Sequence, residues 1–267
     1  MQGEEISRIV NEVVARVVRR LEDTTHGTLP TPADERLYAE RRACLRQALE
    51  QGAARLVPQA LPLEQCAELA GCVEQTLLSF DAREGEVRAI CEEALARGHA
   101  AVCVALDWAE AAAAVLRGSN VRLCVPVGFP LGGHSMAAKA AEVRSAIAAG
   151  ADEIDAVLNP APLAAADYNA AVTELRALVR AAQGRRVKAV VALAHLTREQ
   201  KIAAAVLARA GGACFVKSST GLGPDAVTVG DVALVRSTLR GRPIPPEKPE
   251  FVSRVGAVVV IPVVESQ

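Results

Sequence analysis

The sequence predicts an α/β protein, specifically a TIM-type (β/α) barrel, and three observations lead to this fold class. The chain has 267 residues, of which 51% are hydrophobic and 3% aromatic. Such a composition is typical of packed helices and buried parallel strands. From about residue 71, six short apolar runs alternate with alanine-rich helical stretches, which predicts βαβ units and a parallel sheet. Six units in line favour a barrel. The alternative is a doubly wound sheet, but no G-x-G-x-x-G motif follows the first run.

The six apolar runs are the predicted strands. They cover residues 72–78, 100–105, 121–129, 153–159, 187–194 and 213–219. In a β/α barrel the active groups lie at the carboxyl ends of the strands. Polar side chains near the ends of these runs are therefore the first candidates for a functional site.

Three segments precede the predicted barrel, which spans residues 71–267. Residues 1–22 carry apolar side chains at three- and four-residue steps, which predicts an amphipathic helix. Residues 23–34 are rich in Thr, Pro and Gly and predict a linker. Residues 35–70 predict a charged helical extension that packs against the barrel or another subunit.

Two interpretations of the first helix remain open. It is either an ordinary first helix folded onto the barrel or a docking helix for a partner surface. The helix and linker resemble the encapsulation peptides that carry enzymes into bacterial microcompartments. That resemblance implies a microcompartment shell protein as the partner of residues 1–22, and a place for the chain inside the compartment.

Charge and composition exclude several classes of protein. The formal net charge is −1, with no polybasic block, which argues against nucleic-acid binding because phosphate contacts need a positive face. No apolar run reaches the roughly 20 residues that span a membrane, and the N-terminus lacks the apolar core of a secretory signal. Seven cysteines without a C-x-x-C spacing predict reduced thiols in a cytoplasmic protein, and no zinc site.

Lys217 is the main catalytic candidate, because it closes the apolar run ACFVK and is followed by SSTGLGP. Burial disfavours an ammonium group and makes the neutral amine available as a nucleophile. Just beyond it, hydroxyl and backbone N–H groups can hold a substrate phosphate. They belong to Ser218, Ser219, Thr220 and Gly221. Taken alone, a lysine at a strand end is also consistent with a plain surface position.

Asp155 and Lys188 are the expected companions of Lys217. Asp155 lies inside an apolar run, where a carboxylate is costly unless it is paired. Lys188 starts the following run and is expected to point into the same barrel mouth. Such a cluster suits Schiff-base chemistry, in which one lysine attacks a carbonyl and a carboxylate shuttles protons through water. The second lysine is expected to keep the first amine neutral.

Several motifs, taken in order, resemble deoxyribose-phosphate aldolase, a family of class I (Schiff-base) aldolases. They are TLLSFDA, PVGFPLGG, KAAEVRSAIAAGADEIDAVLN, the Asp-Tyr pair at 167–168, and FVKSSTGLGP. By this resemblance Lys217 corresponds to the Schiff-base lysine, Asp155 to the proton-shuttling aspartate, and Lys188 to an active-site lysine on the neighbouring strand. Thr76 and Cys103 match positions that line the family's substrate pocket.

The resemblance covers about residues 72–240 and implies a reaction. That reaction is the reversible cleavage of 2-deoxy-D-ribose 5-phosphate into glyceraldehyde 3-phosphate and acetaldehyde. The resemblance also implies small aldehydes and sugar phosphates as substrates, and neither a metal nor an organic cofactor.

The chain departs from the family's pattern, most of all towards its C-terminal end. Glu74 and Gln75 stand where the family commonly has Asp-His or Asp-Leu, and Ala192 stands where it commonly has a glutamate. From about residue 241 the tail lacks the family's second essential lysine, in a V-K-x-x-G-G motif, and its phosphate-binding Gly-Ser stretch. The barrel is therefore expected to be incomplete or altered after the sixth predicted strand, although VGAVVVIPVV can form one further strand.

The altered tail leaves two functional hypotheses and one expectation about assembly. The chain is either an active aldolase or a catalytically impaired, aldolase-derived cargo or scaffold protein of a microcompartment. An open sheet edge invites association, so the helices of residues 35–70 or a second subunit are expected to cover it. We therefore expect a homo-oligomer.

Overall fold

A computed structural model of the chain has an α/β fold built on one curled sheet, which confirms the predicted fold class. The structure describes residues 43, 46–51, 53, 55–58, 70–221, 227–241 and 257–263. The predicted amphipathic helix (1–22) and the predicted linker (23–34) lie outside the described residues.

The described part of the sheet has eight strands, in the order β1-β8-β7-β6-β5-β4-β3-β2. The strands are β1 (Arg55–Pro58), β2 (Glu74–Leu77), β3 (Ala101–Val104), β4 (Arg122–Val127), β5 (Glu153–Val157), β6 (Arg186–Val190), β7 (Phe215–Lys217) and β8 (Ala257–Pro262). Strands β2 to β7 are parallel and follow chain order. They coincide with the six predicted runs, so those six predictions are confirmed.

The helices follow the strands, as βαβ units require. Those with described bounds are α1 (Glu84–Arg97), α2 (Ala109–Leu116), α3 (Met136–Ala148), α4 (Pro160–Ala164), α5 (Tyr168–Ala181), α6 (Arg198–Gly211) and α7 (Val229–Arg240). Helix α6 shows why they begin and end where they do. The side chains of Thr197 and Gln200 cap its first turn reciprocally, and Gly212 ends it in a left-handed conformation. In the described part of the chain, no helix is both long enough and apolar enough to cross a membrane.

The main core lies between the sheet and the helices. Alternate strand residues such as Val102, Ile154 and Val216 are fully buried there against the helices. Successive side chains on a strand point to opposite faces, so the neighbours of these residues point to the inside of the curled sheet. Those inward neighbours include the chemically reactive side chains Cys103, Asp155 and Lys217.

The C-terminal part departs from an all-parallel barrel, as predicted. The predicted extra strand is confirmed as β8, but it runs antiparallel to β7, with Lys217 opposite Val260. Arg236 on α7 donates to the backbone carbonyl of Pro262 at 2.9 Å and helps to hold β8 in place. The edge of β7 is therefore covered by the chain's own tail.

Strand β1 corrects one expectation. It lies inside residues 35–70, for which the sequence predicts helices, so the helical prediction is wrong for Arg55–Pro58, while residues 46–50 are helical as predicted. The four residues pair antiparallel with β8, because an uncovered strand edge offers backbone groups that a short segment can satisfy. Strand β1 also contacts β2, which brings the two ends of the sheet together.

Candidate active site

A cluster of buried charged side chains lies inside the curled sheet. Lys217 ends β7, Lys188 lies on β6, Asp155 on β5 and Glu74 on β2, and each is at most 4% exposed. The strand register places Asp155 directly opposite Lys188. The residues that the sequence predicts as catalytic are thus brought together, and Glu74 joins them.

Lys217 contacts two carboxylates. Its Nζ donates a hydrogen bond to Oε1 of Glu74 at 2.7 Å and another, very short one to Oδ2 of Asp155. Because the two carboxylates approach from β2 and β5, strands on opposite sides of the cluster, they fix the amine from two directions. Lys217 is therefore a buried ammonium group rather than a surface lysine.

Lys188 contacts three carboxylates and one thiol of the cluster. Its Nζ lies 2.5 Å from Oε2 of Glu74, 2.9 Å from Oδ1 of Asp155 and 3.1 Å from Oε2 of Glu153. The same nitrogen is 3.2 Å from Sγ of Cys124. Lys188 thus shares both carboxylates that contact Lys217, so the two lysines are bridged through Glu74 and through Asp155.

The charge state of Lys217 differs from the sequence prediction. Burial alone would lower the pKa of Lys217, but the carboxylates of Asp155 and Glu74 raise that pKa well above its usual value. The positive charge of Lys188 lowers the pKa of Lys217 by less than the two carboxylates raise it. The predicted neutral amine is therefore wrong for the resting site, because the sequence prediction counted burial and Lys188 but not the attraction of the Asp155 and Glu74 carboxylates.

Glu74 is the functional candidate that sequence reasoning missed. In the sequence Glu74 stands out only as a departure from the family's pattern, yet its side chain is fully buried between Lys188 and Lys217. Burial would raise the pKa of Glu74, but the two ammonium groups hold that pKa well below its usual value. The signal was present in the sequence, because a carboxylate inside an apolar strand needs a cationic partner, as was argued for Asp155.

Two thiols complete the inner surface of the cluster. Sγ of Cys103 lies 4.0 Å from Oδ2 of Asp155, and burial raises the pKa of the Cys124 thiol well above its usual value. Ligand atoms of Glu74, Cys103, Cys124 and Asp155 lie within 4.8 Å of one another and could hold a metal ion. The ammonium group of Lys188 sits among three of these four groups, where such an ion would bind.

An open cavity of about 450 Å³, here called the mouth, adjoins the carboxyl ends of β5, β6 and β7. Val157 and Val190 form part of its wall, and Ser219 and Thr220 line it just after Lys217. Val190 is also the register partner of Lys217. The mouth therefore lies next to the end of β7, where Lys217 is placed.

The other predicted site residues lie around this region in different roles. Thr76 is half-buried on the same face of β2 as Glu74, and its hydroxyl donates to the Glu74 carbonyl at 3.3 Å. Ser218 is buried, and its carbonyl accepts from the N–H of Leu193 at 3.0 Å. The N–H of Gly221 donates to Oγ of Ser219 at 3.2 Å. Of the four predicted phosphate-binding residues, Ser219 and Thr220 line the mouth.

A second buried ion pair, also missed from the sequence, supports the end of β5. Nζ of Lys139 on α3 donates to the Val157 carbonyl at 2.9 Å and to Oε1 of Glu174 at 2.5 Å. The other carboxylate oxygen of Glu174 accepts from the N–H of Asn159 at 3.1 Å. These bonds hold the backbone just after Asp155, so the proton-shuttle candidate rests on a fixed strand end.

Gly132 packs the loop after β4 against the same strand end. Its φ is +71°, and a Cβ there would lie 2.3 Å from the carbonyl oxygen of Leu158. Only glycine allows this approach. The PVGFPLGG motif therefore shapes one wall of the mouth.

Comparison with known families decides the assignment. The family model described as DeoC/LacD family aldolase matches residues 73–261. The chain belongs to this aldolase family. The matched region contains the whole charged cluster, from Glu74 on β2 to Lys217 on β7.

Curated relatives within the aldolase family agree with this assignment. The chain is 42% identical over 167 residues to the deoxyribose-phosphate aldolase of Streptococcus sanguinis, covering 62% of this chain and 76% of the relative. It is 39% identical over 173 residues to that of Clostridium perfringens, covering 64% and 77%. These relatives are named as enzymes and lend no support to the alternative of a microcompartment cargo or scaffold protein.

Solved aldolase structures share the fold. A putative deoxyribose-phosphate aldolase from Coccidioides immitis superposes with a TM-score of 0.64 at 28% identity, covering 78% of this chain and 79% of that chain. The deoxyribose phosphate aldolase of Aeropyrum pernix, described as having a unique tetrameric structure, gives a TM-score of 0.60 at 25% identity, with coverage of 79% and 81%.

Proposed function

We propose that the chain is a deoxyribose-phosphate aldolase of the class I type. It would cleave 2-deoxy-D-ribose 5-phosphate reversibly into glyceraldehyde 3-phosphate and acetaldehyde through an imine on Lys217. The observation that carries the proposal is a buried lysine that contacts the carboxylates of Asp155 and Glu74 beside an open mouth. The names of the curated relatives supply the substrate.

The first half of the reaction forms the imine. Lys217 attacks a carbonyl only as the neutral amine, so its extra proton must leave first. Asp155 is in direct contact with Nζ and can accept that proton. The amine then adds to the aldehyde carbon of the open-chain sugar, and loss of water gives the protonated imine.

The second half breaks the carbon–carbon bond. A base takes the proton of the C3 hydroxyl, the C2–C3 electron pair moves toward the iminium nitrogen, and glyceraldehyde 3-phosphate leaves. The remaining enamine takes a proton at C2, and water then releases acetaldehyde and restores Lys217. Asp155, acting through a water molecule, is the proposed proton carrier for both transfers. Lys188 orients it through the 2.9 Å contact with Oδ1.

The proposal predicts a single labelled lysine. Acetaldehyde with borohydride should reduce an imine in place and add mass to one peptide, the one that contains Lys217, as read by mass spectrometry. Lys217→Ala should abolish the label, whereas Lys201→Ala should not, because Lys201 lies on α6 and pairs with Asp231 at 2.6 Å. Labelling spread over many lysines, or undiminished labelling in Lys217→Ala, would overturn the proposal.

The proposal extends to assembly and location. The tetrameric relative from Aeropyrum pernix supports a homo-oligomer, which a solution mass measurement would test. The apolar stripe of residues 1–22 and the linker that follows support a cytoplasmic enzyme held inside a bacterial microcompartment through a shell protein.

Deletion of residues 1–22 tests the shell interaction. We expect catalysis and the melting temperature to stay nearly unchanged, because the helix would contact a partner and not the barrel. Co-purification with shell proteins should be lost. A fall of many degrees in melting temperature would show instead that the helix belongs to the core.

A further inference from the structure

Glu153 is a carboxylate of the cluster to which the reaction described above gives no role. It begins β5, and its side chain is fully buried. Because strand side chains alternate between the two faces of a sheet, Glu153 points to the inside of the curled sheet, as Asp155 does two residues later. It lies nearer the amino ends of the strands, whereas Lys217 ends β7 beside the mouth. A buried carboxylate is costly unless it is paired, so its partners indicate its role.

Each carboxylate oxygen of Glu153 has its own cationic partners. Oε2 lies 3.1 Å from Nζ of Lys188. Oε1 lies 3.5 Å from Nε of Arg122, which begins β4, and 3.5 Å from Nη1 of Arg186, which begins β6. The two arginine side chains are partly exposed to solvent. Glu153 therefore connects the buried Lys188 to two cations at the amino-terminal edge of the sheet.

Lys188 in turn contacts one particular oxygen of Asp155. Nζ of Lys188 donates to Oδ1 of Asp155 at 2.9 Å, whereas Nζ of Lys217 donates to Oδ2. The strand register sets Asp155 opposite Lys188 and Glu153 opposite Arg186, so these two pairs form successive layers on β5 and β6. With Oδ1 bonded to Lys188, Oδ2 is the oxygen placed to take the proton of Lys217.

The proposed proton transfer weakens the attraction that holds Lys188. When the proton passes from Nζ of Lys217 to Oδ2 of Asp155, Asp155 becomes neutral. Glu74 is shared between the two lysines. Glu153 keeps its negative charge through this step, because the proton moves between other groups. Burial would lower the pKa of Lys188, but the carboxylates around it, Asp155 first and Glu153 among them, raise that pKa well above its usual value.

We infer that Glu153 is a positioning residue for the proton relay. It holds Lys188, as a charged ammonium group, against Oδ1 of Asp155. Oδ2 then exchanges protons with the amine of Lys217 and, through water, with C2 of the enamine. This inference rests on the proposed Lys217 imine. Glu153 itself takes no proton in the step, and its contribution is a fixed negative charge on Lys188.

Two steps of the reaction are measured separately in Glu153→Gln. The extent of borohydride trapping at saturating acetaldehyde reports imine formation on Lys217, and it should match the wild type. The exchange of the methyl hydrogens of acetaldehyde in heavy water, followed by proton NMR, reports proton transfer at C2. We expect this exchange to slow by a factor of about 10 to 100, because a misplacement of about 1 Å can cost on the order of a hundredfold. Normal exchange in the folded variant would overturn the inference.

Asp231→Asn is the matched control, because it also removes a carboxylate from a largely buried ion pair. Asp231 lies 2.6 Å from Lys201, outside the cluster. Both variants should lose stability in urea unfolding, but only Glu153→Gln should slow exchange. Equal slowing in the two folded variants would show that Glu153 only supports the fold. If Glu153→Gln does not fold, Glu153→Asp takes its place, since it keeps the charge but withdraws it by one methylene, and unchanged exchange there has the same meaning.

NMR of the lysine side chains tests the contact with Lys188 without any reaction. The chain has five lysines, so isotope-labelled lysine gives few Nζ signals, and the signal that Lys188→Arg removes is assigned to Lys188. In Glu153→Gln this signal should broaden or titrate at lower pH, because the ammonium group has lost a carboxylate. An unchanged signal would overturn the inference.

The outcomes separate this inference from the proposed function. If the wild-type protein shows no trapping on Lys217, the aldolase proposal fails and the inference fails with it. If trapping is normal in the wild-type protein and exchange is unchanged in folded Glu153→Gln, the inference alone fails and the aldolase proposal stands.

Discussion

Replacing Asp155 by asparagine is expected to lower the turnover number by a factor of about 100 to 10,000, the usual size of acid–base effects. The amide keeps the shape of the side chain but cannot carry a proton between Lys217, water and the substrate. It also cannot accept the proton that Lys217 must lose before it attacks. Loss of one carboxylate lowers the pKa of Lys217 and so increases the fraction of neutral amine. This larger fraction does not replace the missing proton carrier. Steady-state kinetics in the cleavage direction give the measurement.

Asp152→Asn is the matched control for this prediction. Asp152 precedes β5, accepts from the N–H of Leu123 at 3.0 Å and lies 3.6 Å from Arg185, away from the charged cluster. Its turnover should stay near the wild-type value. If Asp155→Asn folds, by its melting curve, and still turns over at a near-normal rate, Asp155 has no part in proton transfer.

Glu74→Gln is expected to move the pH dependence of imine formation to lower pH by at least about one unit. In the wild-type protein the raised pKa of Lys217 means that the neutral amine becomes common only at strongly alkaline pH. Removing one of its two carboxylates lowers that pKa, and each unit is about 1.4 kcal/mol of interaction. At a fixed pH below the pKa, each unit raises the neutral fraction about tenfold. The rate of borohydride trapping with acetaldehyde, measured across pH, gives the profile.

The same variant should be less stable, because removing one partner of a buried ion pair costs about 3–5 kcal/mol. Urea unfolding would measure that loss and confirm that the variant is folded during trapping. Glu93→Gln is the control, since Glu93 on α1 bonds to Gln75 on the other face of β2. Its profile should match the wild type. An unshifted profile in folded Glu74→Gln would show that Glu74 does not set the charge of Lys217.

The strands could be predicted from sequence because their apolar runs are short and regularly spaced. The direction of β8 could not. The β-branched run of Ala257–Pro262 predicts a strand, but direction depends on the connection from α7, which carries no recognisable crossover pattern. Strand β1 was missed because four residues within a charged helical stretch give too little periodicity to detect.

The site was predicted only in part, because some of its residues follow a local sequence pattern and one does not. Lys217, Asp155 and Lys188 each follow or interrupt an apolar run, and a strand register then places them together. Glu74 lies more than a hundred residues from both lysines, at sequence separations of 114 and 143. Its pairing exists only because the sheet curls until β2 faces β6 and β7. That closure is a tertiary property, so the balance between burial and carboxylate attraction at Lys217 could not be read from the chain.

The two carboxylates around Lys217 also affect the relative stability of the ammonium group and of a covalent intermediate. A protonated imine carries the same single positive charge as the ammonium group it replaces, at nearly the same atom. Glu74 and Asp155 would therefore stabilise both species to a similar degree, and equal stabilisation of two states does not speed their interconversion. Two neutral species, the amine and the carbinolamine, lie on the path from the ammonium group to the protonated imine, and both lack this attraction. In such a pocket we expect the loss of the charge on Lys217, and not the formation of the carbon–nitrogen bond, to limit the covalent half of the proposed reaction.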